Sequence, residues 1–146
     1  MSQQEDERYM RLALEEAQLA YESGEIPIGA VVVCDGRVIA RAHNEVERLS
    51  DPTAHAEVLA VTAATQYMGS KFLGDCRLYV TIEPCTMCAG ALHWASLGEV
   101  IYGASEEKFG YQRYAPEIFP RATKVRGGVL AEEARALMQS FFRARR

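Results

Sequence analysis

The sequence predicts an α/β fold, a mixed sheet with helices on both faces, and three observations predict it. Apolar residues recur at helical spacing near both ends of the chain, and short β-branched runs punctuate its middle. Read in order, the segments run α-β-β-α-β-α-β before a last short strand and helix, a pattern that layered packing resolves by placing helices on both sides of one sheet.

The elements follow in turn. Tyr9, Met10, Ala13, Leu14, Ala17 and Ala20 share a helical stripe, and Gly24 is placed to end it, so a first helix is expected over roughly Glu5 to Ser23. "IGAVVVCDGRVIARAHN" reads as two strands joined at Asp35-Gly36, a dipeptide suited to a two-residue hairpin loop. Thr53 is expected to cap a helix from about Ala54 to Tyr67. "CRLYVTI" reads as a buried strand, Cys85 to Ala95 as a helix and "EVIYGA" as another strand. An irregular stretch holds Pro116 and Pro120. Beyond it, "KVRGGVL" is expected to form a short fifth strand, and Glu132 to Arg145 a helix with Ala134, Leu137, Met138, Phe141 and Phe142 on its apolar side.

With 146 residues and 49% hydrophobic content, the chain suffices for one domain with a core and is short for two, so residues 1–146 are expected to form a single domain. No run approaches the length of a membrane span, and the start "MSQQEDERYM" is polar and acidic, unlike a signal peptide. A cytoplasmic protein is expected. In that reducing setting the four cysteines point to metal or redox chemistry rather than disulfides.

The net charge of −4 conceals an uneven distribution. Residues 1–107 carry 7 basic and 17 acidic side chains, whereas residues 108–146 carry 9 basic and 3 acidic. A basic end on an acidic chain points to an anionic ligand such as nucleic acid, although a terminal "RARR" is as often a solvated helix end.

Two motifs carry the chemistry. In "DPTAHAEVLAV", His55 and Glu57 open a helix that is about to be buried; in "EPCTMC", Cys85 and Cys88 lie three apart at the start of another. Both helices follow strands, so their N-termini are expected to meet at one rim of the sheet. One imidazole and two thiolates suit zinc, and three protein ligands with an open fourth position are the catalytic form of such a site. Helix N-termini favour the thiolates. Zinc lowers the pKa of bound water to about 7, making hydroxide available at neutral pH, and Glu57, not needed as a ligand, is placed to carry that water's proton.

His55-Ala56-Glu57 followed by Pro84-Cys85-Thr86-Met87-Cys88 resembles the signature of zinc-dependent nucleobase deaminases. "EIPIGAVVV", "DPTAHAE", "LYVTIEPCTMCAGAL", "GGVLAEE" and "FFRARR" are similar to segments of the bacterial tRNA adenosine deaminase family, and the resemblance covers nearly the whole chain. It implies a three-layer α-β-α cytidine-deaminase-like fold with a mixed five-stranded sheet. It further implies conversion of adenosine to inosine at the wobble position of tRNA by attack at C6, one zinc ion per chain and a homodimer. By the same resemblance the zinc ligands fall on His55, Cys85 and Cys88, the proton shuttle on Glu57, and substrate contacts on Asn44, Ala56 and Pro84. Asn44 also has a local reading, as a turn residue after the second strand.

The chain departs from the family's pattern after "EVIYGA", where an aspartate is common and Glu106 stands, followed by "FGYQRYAP". Tyr111 and Tyr114 in this loop are candidates to stack on anticodon bases, or equally to pack on a dimer partner. Lys108, Arg113, Arg143, Arg145 and Arg146 are candidates for phosphate contacts. Cys34 and Cys76 read as small core residues, and His43 and His93 as packing residues. Two other readings stay open: a deaminase of free guanine, cytosine or their nucleosides on the same frame, and a zinc-binding or redox module without activity. The intact Glu57 argues against the second, and the basic end favours RNA over a free base.

Overall fold

The structure is a computed structural model and describes residues 2–145. Its elements are α1 (Gln3–Glu22), β1 (Gly29–Cys34), β2 (Arg37–His43), α2 (Val46–Leu49), α3 (Ala56–Met68), β3 (Cys76–Ile82), α4 (Thr86–Trp94), β4 (Glu99–Ala104), α5 (Tyr111–Tyr114), β5 (Lys124–Arg126) and α6 (Ala131–Arg143). The five strands form one sheet in the order β2-β1-β3-β4-β5. β1 runs antiparallel to both neighbours, while β3, β4 and β5 are parallel. The expected mixed five-stranded sheet is therefore present, and β1 alone runs against the other four strands.

Strand alternation divides the core. Val31, Val33, Tyr79 and Ile101 face α1, with Tyr9, Met10 and Ala13 packed on them. Ala30, Val32, Leu78, Val80 and Val100 face the other way, beneath Ala56, Ala60 and Ala64 of α3 and Leu92 of α4. Because side chains alternate with period two, a one-residue slip of β1 would exchange these sets, and the hairpin turn prevents it. Cys34 pairs with Arg37 across Asp35 (φ 55°) and Gly36 (φ 75°), the left-handed pair that this tight turn needs. α6 joins the α1 side, where Ala134 packs with Ile82 and Ala104.

Several boundaries differ from those read in the sequence. α3 begins at Ala56, not Ala54, because Thr53 does not cap it: its N–H and hydroxyl both donate to Asp51 Oδ1, at 2.8 and 2.7 Å, closing a local turn. Phe142 is exposed rather than on the apolar side of α6, since its neighbour Phe141 takes the buried position and successive helical residues lie 100° apart. α6 also ends at Arg143, two residues early, and β5 is confined to three residues. Finally, β2 and β3, which lead to the two motif helices, are not neighbours. β1 lies between them, but both run the same way, so their ends still reach one rim.

Candidate active site

That rim carries the two motifs. His55 is the N-cap residue of α3 and Cys85 the N-cap residue of α4, so each sits one step before its helix rather than in the first turn, while Cys88 and Glu57 lie within the first turns. His55 Nδ1 is 3.4 Å from Cys88 Sγ and 3.7 Å from Cys85 Sγ. The three donor atoms lie within 4.8 Å of one another, and among the described residues they are the group of His, Cys, Asp and Glu side chains that could hold a metal ion. Metal–ligand bonds of about 2.1 Å to nitrogen and 2.3 Å to sulfur at tetrahedral angles would separate the donors by about 3.6 Å. The observed distances bracket that value, and the donor set suits zinc.

Electrostatics agree with that use. Neither N-cap residue caps its own helix with its side chain, and Cys85 and Cys88 lie at the N-terminus of α4, whose partial positive charge favours a thiolate. The Cys88 thiol, hydrogen-bonded to Cys85, holds Cys85 down to about 4 against the opposing effect of burial, with His55 adding to the pull. Cys88 is pushed up by the same contact and by burial. The contact with Cys85 raises His55 despite burial. Glu57, buried beside them, is pushed up to about 7, chiefly by desolvation. A carboxyl poised there exchanges a proton near neutral pH.

The group opens into a cavity of about 890 Å³. Its lining includes His55 and Cys85, the buried Asn44, Glu57 and Glu83, and, at its mouth, the exposed Ile26, Phe109 and Phe142. Asn44 is buried, and its Oδ1 accepts the Ala56 N–H at 2.8 Å. This bond engages the Ala56 N–H within the chain, and Ala56 is fully buried; the Pro84 carbonyl likewise accepts the Tyr111 N–H at 2.9 Å. Neither Ala56 nor Pro84 is among the residues lining the cavity.

The expected RNA-facing residues divide. Tyr111 is only 6% exposed and packs edge-on against Phe119, ring centroids 4.9 Å apart, because α5 turns it inward; it is not available for stacking on a base. Tyr114 is exposed, with Arg113 over its ring at 5.4 Å. Lys108 and Arg143 are exposed. Arg145 is exposed, and its guanidinium lies 3.7 Å from the Phe141 ring centroid and lines the cavity. Arg146 lies outside the described residues. Part of the basic segment is structural, since Arg126 pairs with Asp6 at 2.8 Å and Glu99 at 2.6 Å. His43 bonds Glu16 at 2.9 Å, His93 the Ile118 carbonyl at 2.6 Å, and Cys76 is buried opposite a half-buried Cys34, as packing residues should be.

Phe109 (62% exposed) and Phe142 (47% exposed) are wall residues that sequence reasoning missed. A signal existed for Phe142, because adjacent phenylalanines on one helix cannot both face a core. Glu83 was missed as well, although an acid directly after the apolar run "LYVTI" is an unusual neighbour for a metal ligand.

A protein-family model, MafB19-like deaminase, matches residues 4–146, and the chain belongs to that deaminase family. It is 48% identical over 104 residues to a tRNA-specific adenosine deaminase of Aquifex aeolicus, covering 71% of this chain and 69% of the relative. To that of Streptococcus pyogenes it is 42% identical over 147 residues, covering 97% and 92%. Among solved structures, one from a study of A-to-I editing by tRNA:A34 deaminases superposes with a TM-score of 0.83 at 41% identity, covering 89% of this chain and 98% of that one. A guanine deaminase from Bacillus subtilis is similar at a TM-score of 0.67 and 40% identity, covering 77% and 75%. The fold is that of the cytidine-deaminase-like enzymes.

Proposed function

We propose that this chain, acting as one domain, is a zinc-dependent hydrolase that converts adenosine to inosine at the wobble position of tRNA. One arrangement carries the reading: a buried carboxyl, Glu57, stands beside a His-Cys-Cys metal group at the base of a cavity whose mouth is rimmed by exposed Phe109 and Phe142 and by Arg145. His55, Cys85 and Cys88 would hold the metal, whose chemistry is to make water nucleophilic near neutral pH. Glu57 takes up the proton that water must lose and returns it to the leaving nitrogen, with its raised pKa suiting both roles. Asn44, its oxygen engaged by Ala56, presents its amide NH2 to orient the nucleoside. The aromatic rim supplies surfaces on which a base flanking the target stacks, a need that a free base does not have.

A tRNA substrate implies a cytoplasmic location. Among the described residues no helix is long and apolar enough to cross a membrane. A homodimer accords with the outer face of α3 and α4, where Trp94 (79% exposed) and Phe72 flank a groove lined by Val58 and Val61. A Trp94→Glu variant should dissociate that dimer in light scattering.

Similarity to a guanine deaminase keeps one rival activity in view. The deciding experiment incubates purified protein with an anticodon stem-loop bearing adenosine at position 34, with free guanine, and with cytosine. Inosine in the stem-loop digest supports the proposal. Xanthine from guanine with an unchanged stem-loop overturns it.

A further inference from the structure

Glu83 lies two residues before Cys85, is 5% exposed and borders the cavity, yet nothing in the chemistry above requires a second buried carboxylate there. Its oxygens have other partners. Oε1 accepts the N–H of Glu106 at 3.0 Å and Oε2 that of Gln112 at 3.1 Å, so one side chain grips both ends of the loop between β4 and α5. Between those bonds, Pro84 accepts the Tyr111 N–H, and Cys85 forms an isolated antiparallel bridge with Gly110. A second carboxylate continues the series, because Glu106 Oε1 accepts the N–H of Lys108 at 2.8 Å and that of Phe109 at 3.4 Å. The approach depends on Gly110: a Cβ there would lie 2.3 Å from Glu83 Oε2 and 2.3 Å from the Glu106 carbonyl oxygen.

From this arrangement we infer that Glu83 is a positioning residue for substrate: its carboxylate fixes the 106–112 loop, and through it Phe109 at the cavity mouth, relative to the metal ligand Cys85. The inference rests on the activity proposed above. It assigns Glu83 no proton transfer. It gives the carboxylate a task that an apolar residue or an amide cannot perform, because two N–H donors converge on it from opposite ends of the loop. Glutamine has one acceptor oxygen and would turn its own N–H groups toward the other donor.

The test combines an activity-independent and a kinetic measurement on the zinc-loaded full chain. In hydrogen–deuterium exchange, Glu83→Gln should speed exchange across residues 105–113 by about tenfold or more and leave α3 and β3 unchanged. With the adenosine-34 stem-loop, KM should rise about tenfold while kcat stays within about twofold, the signature of weakened binding that ground and transition states share. Phe109→Ala should show the same split, and the double variant should be less than additive, because both changes remove one device. Unchanged exchange in the loop, a fall in kcat at constant KM, or additive effects with Phe109→Ala would each overturn the inference. If Glu83→Gln does not fold, Gly110→Ala breaks the same clamp from the loop side and must give the same results. A wild-type chain inactive on the stem-loop would defeat the proposed activity instead, with the exchange measurement still deciding whether Glu83 holds the loop.

Discussion

The side-chain oxygen of Asn44 accepts the backbone N–H of Ala56 at 2.8 Å, joining the end of β2 to the start of the helix that carries Glu57. Asn44 thus does what an N-cap residue does for α3, from eleven residues before the N-cap position itself. Asn44→Ala should destabilise the fold by about 1–2 kcal/mol, because it strands a buried N–H. Asn44→Asp keeps the acceptor and should retain stability while losing most deamination, since it removes the amide donor facing the cavity. Equal activity in Asn44→Asp and wild type, measured beside thermal melts, would confine Asn44 to its capping role.

Metal binding is tested most directly at Cys88, the fully buried donor. Cys88→Ser should lose most of the roughly one zinc per chain expected of a three-ligand site, read by elemental analysis. Full zinc in that variant would call for a different ligand set.

Glu57→Gln should retain zinc and fold but lose about 10²–10⁴-fold in turnover, because an amide cannot take up the water's proton. RNA affinity should persist. Near-normal turnover with zinc in place would remove the proton-carrying role from Glu57.

For RNA affinity, replacing Arg143, Arg145 and Arg146 with alanine should weaken stem-loop binding and flatten its salt dependence, by about 0.7–0.9 in slope for each phosphate no longer neutralised. Single variants refine this. Arg145 lines the cavity and lies over Phe141, so Arg145→Ala should cost more than Arg143→Ala. Identical affinities and slopes across a salt series would exclude the basic end as an RNA-binding element.

Asp6 ties α1 to the sheet through Arg126 and Tyr79. Burial alone would raise its pKa, but the hydrogen bonds from Arg126 and Tyr79, with the charges of Arg126 and Arg77, outweigh burial and hold it below its ordinary 3.8. A depressed folded-state pKa contributes stability that is fully present above the unfolded value and disappears as pH falls through the folded one. Asp6→Asn should therefore be less stable than wild type in urea at pH 7, and the gap should close below pH 3.8. A gap that persists unchanged at about pH 2 would mean that the Asp6 charge contributes nothing.

The legible part of this molecule was whatever depends on local pattern. The Asp35-Gly36 hairpin, the apolar runs of β1 and β3, and the His55-Glu57 and Cys85-Cys88 spacings each act within a few residues; the hairpin and both strands are present, and His55, Cys85 and Cys88 come together. The misreadings arose where partners are distant. Thr53 looked like a cap until Asp51 competed for it, and Tyr111 looked like a stacking surface until α5 turned it onto Phe119. Phe109 and Phe142 stand 33 positions apart in sequence and share one cavity mouth, and no periodicity announces such a meeting.

β1 separates the two strands that lead toward His55 and Cys85, and its own start, at Gly29, opens onto the same rim. The ends of β2 and β3 thus stand roughly two strand spacings apart, about 9.5 Å, and the chain entering β1 lines the cavity with Ile26 and Ile28. Four segments complete the enclosure: residues 24–28, residues 44–52, the loop holding Glu106 and Phe109, and the end of the chain from Met138 to Arg145. None of them contains His55, Cys85 or Cys88. Substitutions in the enclosure can therefore reshape what the cavity admits while leaving His55, Cys85 and Cys88 in place.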